Sequence, residues 1–182
     1  MNTYCEGKVA VVTGAGGTLC SAIAIDLAQK GAKVVLIGRT REKLGKVAAE
    51  IAASGGACRI EPGDVTDEKA MQAIADRVAA EWGPCRYLIN GAGGNNVKAM
   101  PTRLRFSDAD YAPTADFAKD RGFWDIDMAA FRSVLEINTL GTVIPSRIFG
   151  LQMAASCSVG SFIRFHSFMA HIVARIAPLA IS

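Results

Sequence analysis

The chain of 182 residues is long enough to bury a core, and its 51% hydrophobic and 20% charged residues give the balance of a soluble globular protein. Its formal net charge of +3 is small and spread along the chain, so it indicates neither a nucleic-acid surface nor a membrane-surface patch. No uncharged apolar stretch approaches the roughly 20 residues that a membrane-spanning helix needs.

The N-terminal residues and the cysteines bear on the cellular compartment. Residues 1–8 are polar and run directly into a strand-like segment, so the sequence predicts no signal peptide. The five cysteines are odd in number and widely spaced, and they form no CxxC pair. They predict reduced, mostly buried thiols in a cytoplasmic protein, with neither a disulfide framework nor a metal site.

Strands and helices alternate from the start of the chain. Residues 8–13 form a short run rich in β-branched side chains, typical of a strand covered on both faces. After several glycines, a helix is predicted from about Ser21 to Lys30 and is closed by Gly31. A second buried strand is predicted over 33–37. An amphipathic helix is predicted over 40–54, because apolar residues recur there at i, i+3, i+4 and i+7.

The same alternation continues through the next two strands. A third strand is predicted over 59–65, and Thr66 is predicted to cap the following helix, with Asp67 and Glu68 in its first turn. A fourth strand covers 87–89. This order predicts an α/β fold, a doubly wound parallel sheet between two layers of helices.

Residues 94–126 interrupt the pattern. They contain two prolines and five aromatic residues without a sustained period, so we expect an irregular loop insertion, which in a compact domain is usually functional. Helical periodicity resumes at Phe131, and a last strand is predicted over 162–165. We expect residues 1–182 to form one domain with an atypical tail from about residue 156.

The turn after the first strand reads T-G-A-G-G-T-L-C over residues 13–20. A glycine turn between a buried strand and a helix lets the backbone approach a pyrophosphate, which the N-terminus of the helix then binds. Glycine clusters also occur in ordinary tight turns. The place of this turn in the first βαβ unit favours dinucleotide binding.

Three motifs together resemble the short-chain dehydrogenase/reductase family: Thr13-Gly14, Asp64-Val65, and Asn90-Gly91-Ala92-Gly93. The family's turn is TGxxxGxG, and here Thr18 and Cys20 stand where its second and third glycines belong. The resemblance implies a Rossmann fold that binds NAD or NADP.

A subgroup of that family, described as D-mannonate (fructuronate) oxidoreductases, is similar in more detail. The variant glycine turn, the long loop and the stretch 131–150 all resemble it, and the resemblance covers roughly residues 6–155. It implies a small-molecule substrate, for which a sugar acid is the expectation. Members of the family associate through the helix containing Asn138 and the helix after it, so the resemblance to the family also implies a homo-oligomer.

The resemblance implies a set of cofactor-binding residues. Asp64 would hold the adenine with Val65 packed beside it, although an acid at a helix N-terminus is the alternative for Asp64. Asn90, Ala92 and Gly93 would shape the floor under the adenine and ribose. The glycine turn would supply the rest of the set, namely Thr13, Gly14, Gly16, Gly17, Thr18 and Leu19.

The residues after the second strand, Gly38 and Arg39, bear on the choice of cofactor. An acid at this place binds the ribose 2′-hydroxyl of NAD, whereas an arginine accommodates the 2′-phosphate of NADP. The acid is absent, so NADP is favoured over NAD, and a solvated surface arginine is the alternative for Arg39.

Two catalytic residues are implied by the resemblance. Asn138 corresponds to the family's active-site asparagine, and Ser167 to its catalytic serine. The family's proton donor is the tyrosine of YxxxK, which this sequence lacks, since its last tyrosine is Tyr111 and its last lysine is Lys119. His166 and His171 are conceivable substitutes, although exposed or structural histidines are the more usual interpretation.

The composition of the C-terminal tail suggests why the YxxxK motif is missing. No acidic residue follows Glu136, and both histidines fall within the last seventeen residues. A frameshift near residues 155–160 would produce this composition and a fold incomplete at its C-terminal end.

The motifs and the resemblance together predict an NADP- or NAD-dependent oxidoreductase that interconverts a secondary alcohol and a ketone. The alternatives are a catalytically inactive dinucleotide-binding fragment and, more remotely, a flavodoxin-like regulatory domain.

Overall fold

The computed structural model describes residues 3–103, 105 and 121–156 and the strand at 161–164. Its sheet strands are β1 (Val9–Thr13), β2 (Lys33–Gly38), β3 (Ala57–Pro62), β4 (Cys85–Asn90) and β5 (Ser161–Arg164). Its α-helices are α1 (Thr18–Gln29), α2 (Arg41–Ala53), α3 (Glu68–Trp82) and α4 (Met128–Ala155). Short 3₁₀ turns lie at Thr3–Cys5, Val97–Ala99 and Phe123–Asp125.

All five strands are parallel and lie in the order β3-β2-β1-β4-β5. The chain therefore winds outward from β1 in one direction and then from β1 in the other. This arrangement confirms the predicted doubly wound α/β fold. It also places the carboxyl ends of β1 and β4 side by side, where such sheets bind ligands.

Helices cover both faces of the sheet, as predicted. All five residues of β1 are buried, because they pack alternately against the two helical layers. One core forms between the sheet and α3 with α4, around Met71 and Phe149. The other forms between the sheet and α1 with α2, around Leu44 and Ile51. Within the described residues, no helix is long and apolar enough to cross a membrane.

Several predicted boundaries were wrong by a few residues. The first helix begins at Thr18 rather than Ser21, because Gly17 is already its extended N-cap residue. The third strand covers 57–62 rather than 59–65, and β4 extends beyond the predicted 87–89 at both ends. Consequently, Asp64 and Val65 lie in the turn after β3 and not in the strand.

The predicted cap of the third helix was also wrong. Asp67, and not Thr66, is the N-cap residue of α3, since its side chain accepts a hydrogen bond of 3.0 Å from the amide of Ala70. Thr66 directs its own donors to Asp64 instead, and this contact lies beside the functional site.

A salt-bridge cluster fixes β3, which is an edge strand, against α3. The side chain of Glu61 is only 7% exposed and lies 2.6 Å from the guanidinium of Arg59 and 2.7 Å from that of Arg77. Because Arg77 belongs to α3, the strand and the helix are joined on either side of the turn that carries Asp64. The cluster therefore holds both ends of that turn.

Candidate functional site

A cleft of about 280 Å³ lies at the carboxyl ends of the first four strands. Eight of the predicted cofactor-binding residues line it, namely Gly14, Gly16, Gly17, Arg39, Asp64, Val65, Ala92 and Gly93. The remaining wall comes from residues that were not predicted, namely Gly38, Thr40, Lys43, Leu44, Gly63, Gly91 and Ile137. The structure thus brings together the three motifs that are separated in the sequence.

The glycines of the first turn are required by close backbone contacts. Gly14 has a φ of +67°, and a Cβ there would lie 2.7 Å from the carbonyl oxygen of Gly91. A Cβ at Gly16 would lie 2.9 Å from the Cβ of Lys43. Both distances are too short for any side chain, so the turn after β1 contacts the neighbouring segments with bare backbone.

The two helices that begin at this cleft lack side-chain caps. Gly17 and Thr40, the N-cap residues of α1 and α2, both line the cleft, and neither makes a side-chain capping bond. By contrast, Asp67 and Asp127 cap α3 and α4 with their carboxylates. Two uncapped helix N-termini with their partial positive charge therefore border the cleft, which suits a ligand with anionic groups.

Thr13 lies beneath the cleft and not in its wall. It is fully buried, and its Oγ1 accepts hydrogen bonds of 3.1 Å from the amides of Gly91 and Ala92. The hydroxyl thus joins the end of β1 to the segment that follows β4. Thr13 positions the floor of the cleft.

Cys20 occupies the place of the family's third glycine. Its thiol also explains why residue 91 is a glycine. A Cβ at Gly91 would lie 2.0 Å from the Sγ of Cys20, so the thiol fills the space that a side chain at position 91 would need. Burial raises the pKa of the Cys20 thiol, which keeps it protonated. We therefore assign Cys20 to packing.

Three other predicted residues do not line the cleft. Thr18 and Leu19 lie exposed in the first turn of α1, and the Leu19 side chain is 56% exposed. Asn90 is buried, and its Nδ2 donates a 2.9 Å hydrogen bond to the hydroxyl of Ser146. Asn90 thereby ties β4 to α4, and within the described part of the chain its Oδ1 has no hydrogen-bond partner.

Asp64 is held in an ionised state at the end of β3. Its Oδ1 accepts hydrogen bonds from the hydroxyl of Thr66, at 2.7 Å, and from the amide of Thr66, at 2.9 Å. These bonds from Thr66 lower the pKa of Asp64, and the positive charge of Arg39 lowers it further. Asp64 therefore presents a pure hydrogen-bond acceptor to the cleft.

Arg39 and Lys43 give the end of β2 a positive charge. Both line the cleft, whereas Asp64 is the only acidic residue among the lining residues of the described chain. Sequence reasoning identified Arg39 and missed Lys43. Arg39 precedes α2, so the two residues share no helical spacing, and only the packing of α2 beside the first turn brings Lys43 to the cleft.

Asn138 joins α4 to the segment after β4. Its Nδ2 donates hydrogen bonds to the carbonyl oxygens of Gly94, at 2.7 Å, and Val134, at 2.8 Å, while its Oδ1 accepts one of 3.3 Å from the amide of Gly94. A Cβ at Gly93 would lie 2.7 Å from the same Oδ1. Asn138 thus lies at the border of the cleft, next to Ile137 in its wall. Ser167, His166 and His171 lie outside the described residues.

The loop region beyond the cleft, residues 94–103 and 121–127, is held by bonds from side chains to the backbone and by bonds between backbone groups. Arg121 is buried, and its guanidinium donates to the carbonyl oxygens of Val97, at 2.6 Å, and Met100, at 3.3 Å. The amide of Asp127 donates to the carbonyl oxygen of Lys98, at 3.1 Å. These bonds fix the loop region to the start of α4, which carries Asn138.

The sequence matches the short chain dehydrogenase family over residues 8–175, which is most of the chain. An uncharacterized oxidoreductase of Haemophilus influenzae is 36% identical over 152 residues, which are 84% of this chain and 51% of that protein. The chain spans about half the length of the curated relatives it matches.

Two solved structures are similar in fold. A Haemophilus influenzae protein provisionally assigned as a D-mannonate oxidoreductase, with bound NAD, has a TM-score of 0.74 and 33% identity, covering 81% of this chain and 51% of that one. A metagenomic short-chain oxidoreductase in complex with NADP has a TM-score of 0.72 and 30% identity, covering 93% of this chain and 67% of that one. The chain therefore belongs to the short-chain dehydrogenase/reductase family.

Proposed function

We propose that the cleft binds NADP(H) and that the protein is an oxidoreductase interconverting a secondary alcohol and a ketone. One observation carries the proposal, namely that the cleft combines two uncapped helix N-termini with the cations of Arg39 and Lys43. This set of donors fits a dinucleotide with a 2′-phosphate, and the acid that would instead hold a ribose 2′-hydroxyl is absent after β2.

In this proposal, different residues of the cleft bind different parts of the cofactor. The turn over residues 14–17 and the N-terminus of α1 bind the pyrophosphate, Arg39 and Lys43 the 2′-phosphate, and Asp64 the adenine. The nicotinamide supplies the hydride chemistry when bound. Asn138 borders the substrate side and orders the segment over which a substrate would lie.

Titration of the chain with NADPH and NADH tests the cofactor preference. Because Arg39 is exposed, we expect NADPH to bind about three- to tenfold more tightly than NADH, and Arg39→Asp to abolish or invert this preference. Arg41→Asp is the matched control, since Arg41 makes the same charge change without lining the cleft. Equal or tighter binding of NADH by the unmutated chain would refute the NADP assignment.

A sugar acid is the substrate class that we propose. The support is the assignment of the solved structure that binds NAD as a D-mannonate oxidoreductase, together with the subgroup resemblance of the loop and of α4. Absorbance of NADPH, followed with keto-sugar acids and simple ketones, tests the proposal. Turnover of ketones alone would count against it.

A specific observation favours a second candidate function, dinucleotide binding without catalysis. Within these 182 residues no tyrosine follows Tyr111 and no lysine follows Lys119, so this stretch by itself supplies no YxxxK motif after Asn138. General acid catalysis typically contributes about 10²–10⁴-fold, and its loss would leave binding intact. Binding of NADPH with no turnover of any carbonyl substrate would identify this second function.

A further inference from the structure

Thr66 has a contact that the function proposed above does not yet use. Its sequence position suggests a helix cap, but Asp67 performs that role for α3. Both donors of Thr66, the amide and the hydroxyl, bond the same oxygen, Oδ1 of Asp64. The amide of Asp67 also donates to the carbonyl oxygen of Asp64 at 3.0 Å, which closes the turn around the carboxylate.

The consequence is a carboxylate with one occupied and one available oxygen. Two short bonds to Oδ1 fix the rotation of the Asp64 side chain. Within the described part of the chain, Oδ2 accepts no hydrogen bond, and the residue lines the cleft. An ionised oxygen with a fixed direction accepts hydrogen bonds and repels other acceptors.

We infer that Thr66 is a positioning residue that makes this site select a purine with an exocyclic amino group, adenine, over one with a carbonyl oxygen in that place. The inference rests on the proposed function, in which Asp64 binds the adenine of the cofactor. With Oδ1 held by Thr66, Oδ2 would be the oxygen that accepts a hydrogen bond from the amino group of adenine. A carbonyl oxygen at the same position of the base meets a like-charged acceptor instead.

Thr66 matters because a mobile carboxylate would lose the discrimination. Hypoxanthine carries its carbonyl oxygen beside a ring N–H, and a carboxylate free to rotate could accept from that N–H. The fixed direction of Oδ2 prevents this adjustment. A side chain that lacks the hydroxyl at position 66 should therefore reduce selectivity for the base more than it reduces the stability of the fold.

The test compares the affinities for NADPH and for its hypoxanthine analogue by isothermal titration calorimetry. We expect the unmutated chain to prefer NADPH by about tenfold, and Thr66→Val to reduce this ratio by roughly three- to tenfold. Thr66→Ser keeps the hydroxyl and should restore the ratio. Thr139→Val, on the exposed surface of α4, is the matched control and should leave it unchanged.

A second variant keeps the inference testable if Thr66→Val does not fold. In Asp64→Asn the amide Oδ1 would still accept from Thr66, so its Nδ2 would face the base and donate to a carbonyl oxygen. We expect Asp64→Asn to invert the preference towards the hypoxanthine analogue. Addition of Thr66→Ala to Asp64→Asn should weaken the inversion, because one of the two bonds that hold Oδ1 is then lost.

The possible failures are distinguishable. If the unmutated chain binds neither dinucleotide, the proposed function fails and the inference fails with it. If it binds both equally, dinucleotide binding stands but the inference is overturned. If it prefers NADPH and Thr66→Val keeps the full preference in a folded protein, the role of Thr66 alone is refuted.

Discussion

The glycine-turn region, residues 13–17, 38–40, 63–66 and 91–93, and the loop region are built in different ways. The first follows four paired strands and is held by the β-ladders and by close contacts between backbone atoms. The second is held by single side chains, above all Arg121 and Asn138, and exposes large apolar groups, with Phe123 64% and Trp124 68% exposed. Under the function proposed above, we expect the glycine-turn region to recognise the shared cofactor and the loop region to recognise the particular substrate.

The largest effect should come from a side chain added inside the glycine-turn region. Gly14→Ala combines a positive φ with a Cβ 2.7 Å from backbone atoms that no side-chain movement can relieve. We expect a loss of about 3–5 kcal/mol in the free energy of unfolding, measured with urea, together with loss of NADPH binding.

The control for this change is a glycine that has open space around it. Gly45 lies within α2, and a Cβ there would meet nothing within 4 Å. Gly45→Ala should stabilise the protein by about 0.5–1 kcal/mol, because alanine is the better helix former. If Gly14→Ala were as harmless as Gly45→Ala, the close-contact account of this region would be wrong.

A smaller loss of stability is expected at the contact between Gly91 and Cys20, and a second substitution should compensate for it. Gly91→Ala places a Cβ 2.0 Å from the Cys20 Sγ, and we expect a loss of about 1–3 kcal/mol. Cys20→Ala removes the sulfur, so the double variant should recover much of that loss. Strictly additive unfolding free energies would show that the two residues do not share this space.

In the loop region the expected effect is smaller still and local. Asn138→Ala removes both side-chain bonds to Gly94, which are worth about 1 kcal/mol in all since they are partly exposed to solvent. Amide hydrogen exchange at Gly94 should accelerate, while exchange at Val11 in β1 should not change. Equal acceleration at both amides would mean that the loop region and the sheet unfold as one unit.

The same contrast explains what the sequence could predict. Buried β-branched runs, glycine turns and helical periodicity are local signals, and they predicted the alternation of strands and helices. The glycine turn, Arg39 and the resemblance to the family together supplied eight of the fifteen residues that line the cleft. The position of Lys43 depends on how α2 packs beside the first turn, which no local pattern shows. The clamp of Arg121 on Val97 and Met100 joins residues more than twenty positions apart, so it was also missed.

Thr66 shows another reason why the sequence alone could not predict part of the site. Threonine followed by two acids fits a helix cap, and Asp67 fits it equally well one residue later. The choice between them depends on the length of β3, which ends at Pro62 and leaves Asp64 in the turn. Once Asp64 is there, Thr66 is two residues away and within reach of its carboxylate, as in other Asx turns.

The smallest expected effect is a pH dependence that isolates this contact. The bonds from Thr66 lower the pKa of Asp64 in the folded state, so the unfolded chain takes up a proton first as the pH falls. The stabilisation is therefore complete above the unfolded value near 3.9 and is lost as the pH falls through the folded pKa. Because Asp64 is only half-buried, the contribution should stay below about 1 kcal/mol.

Urea unfolding of the unmutated chain and of Thr66→Val, between pH 6 and pH 3, should show a stability difference that shrinks towards the acid end. A difference that is constant across this range would assign the effect of Thr66→Val to packing and not to the charge of Asp64.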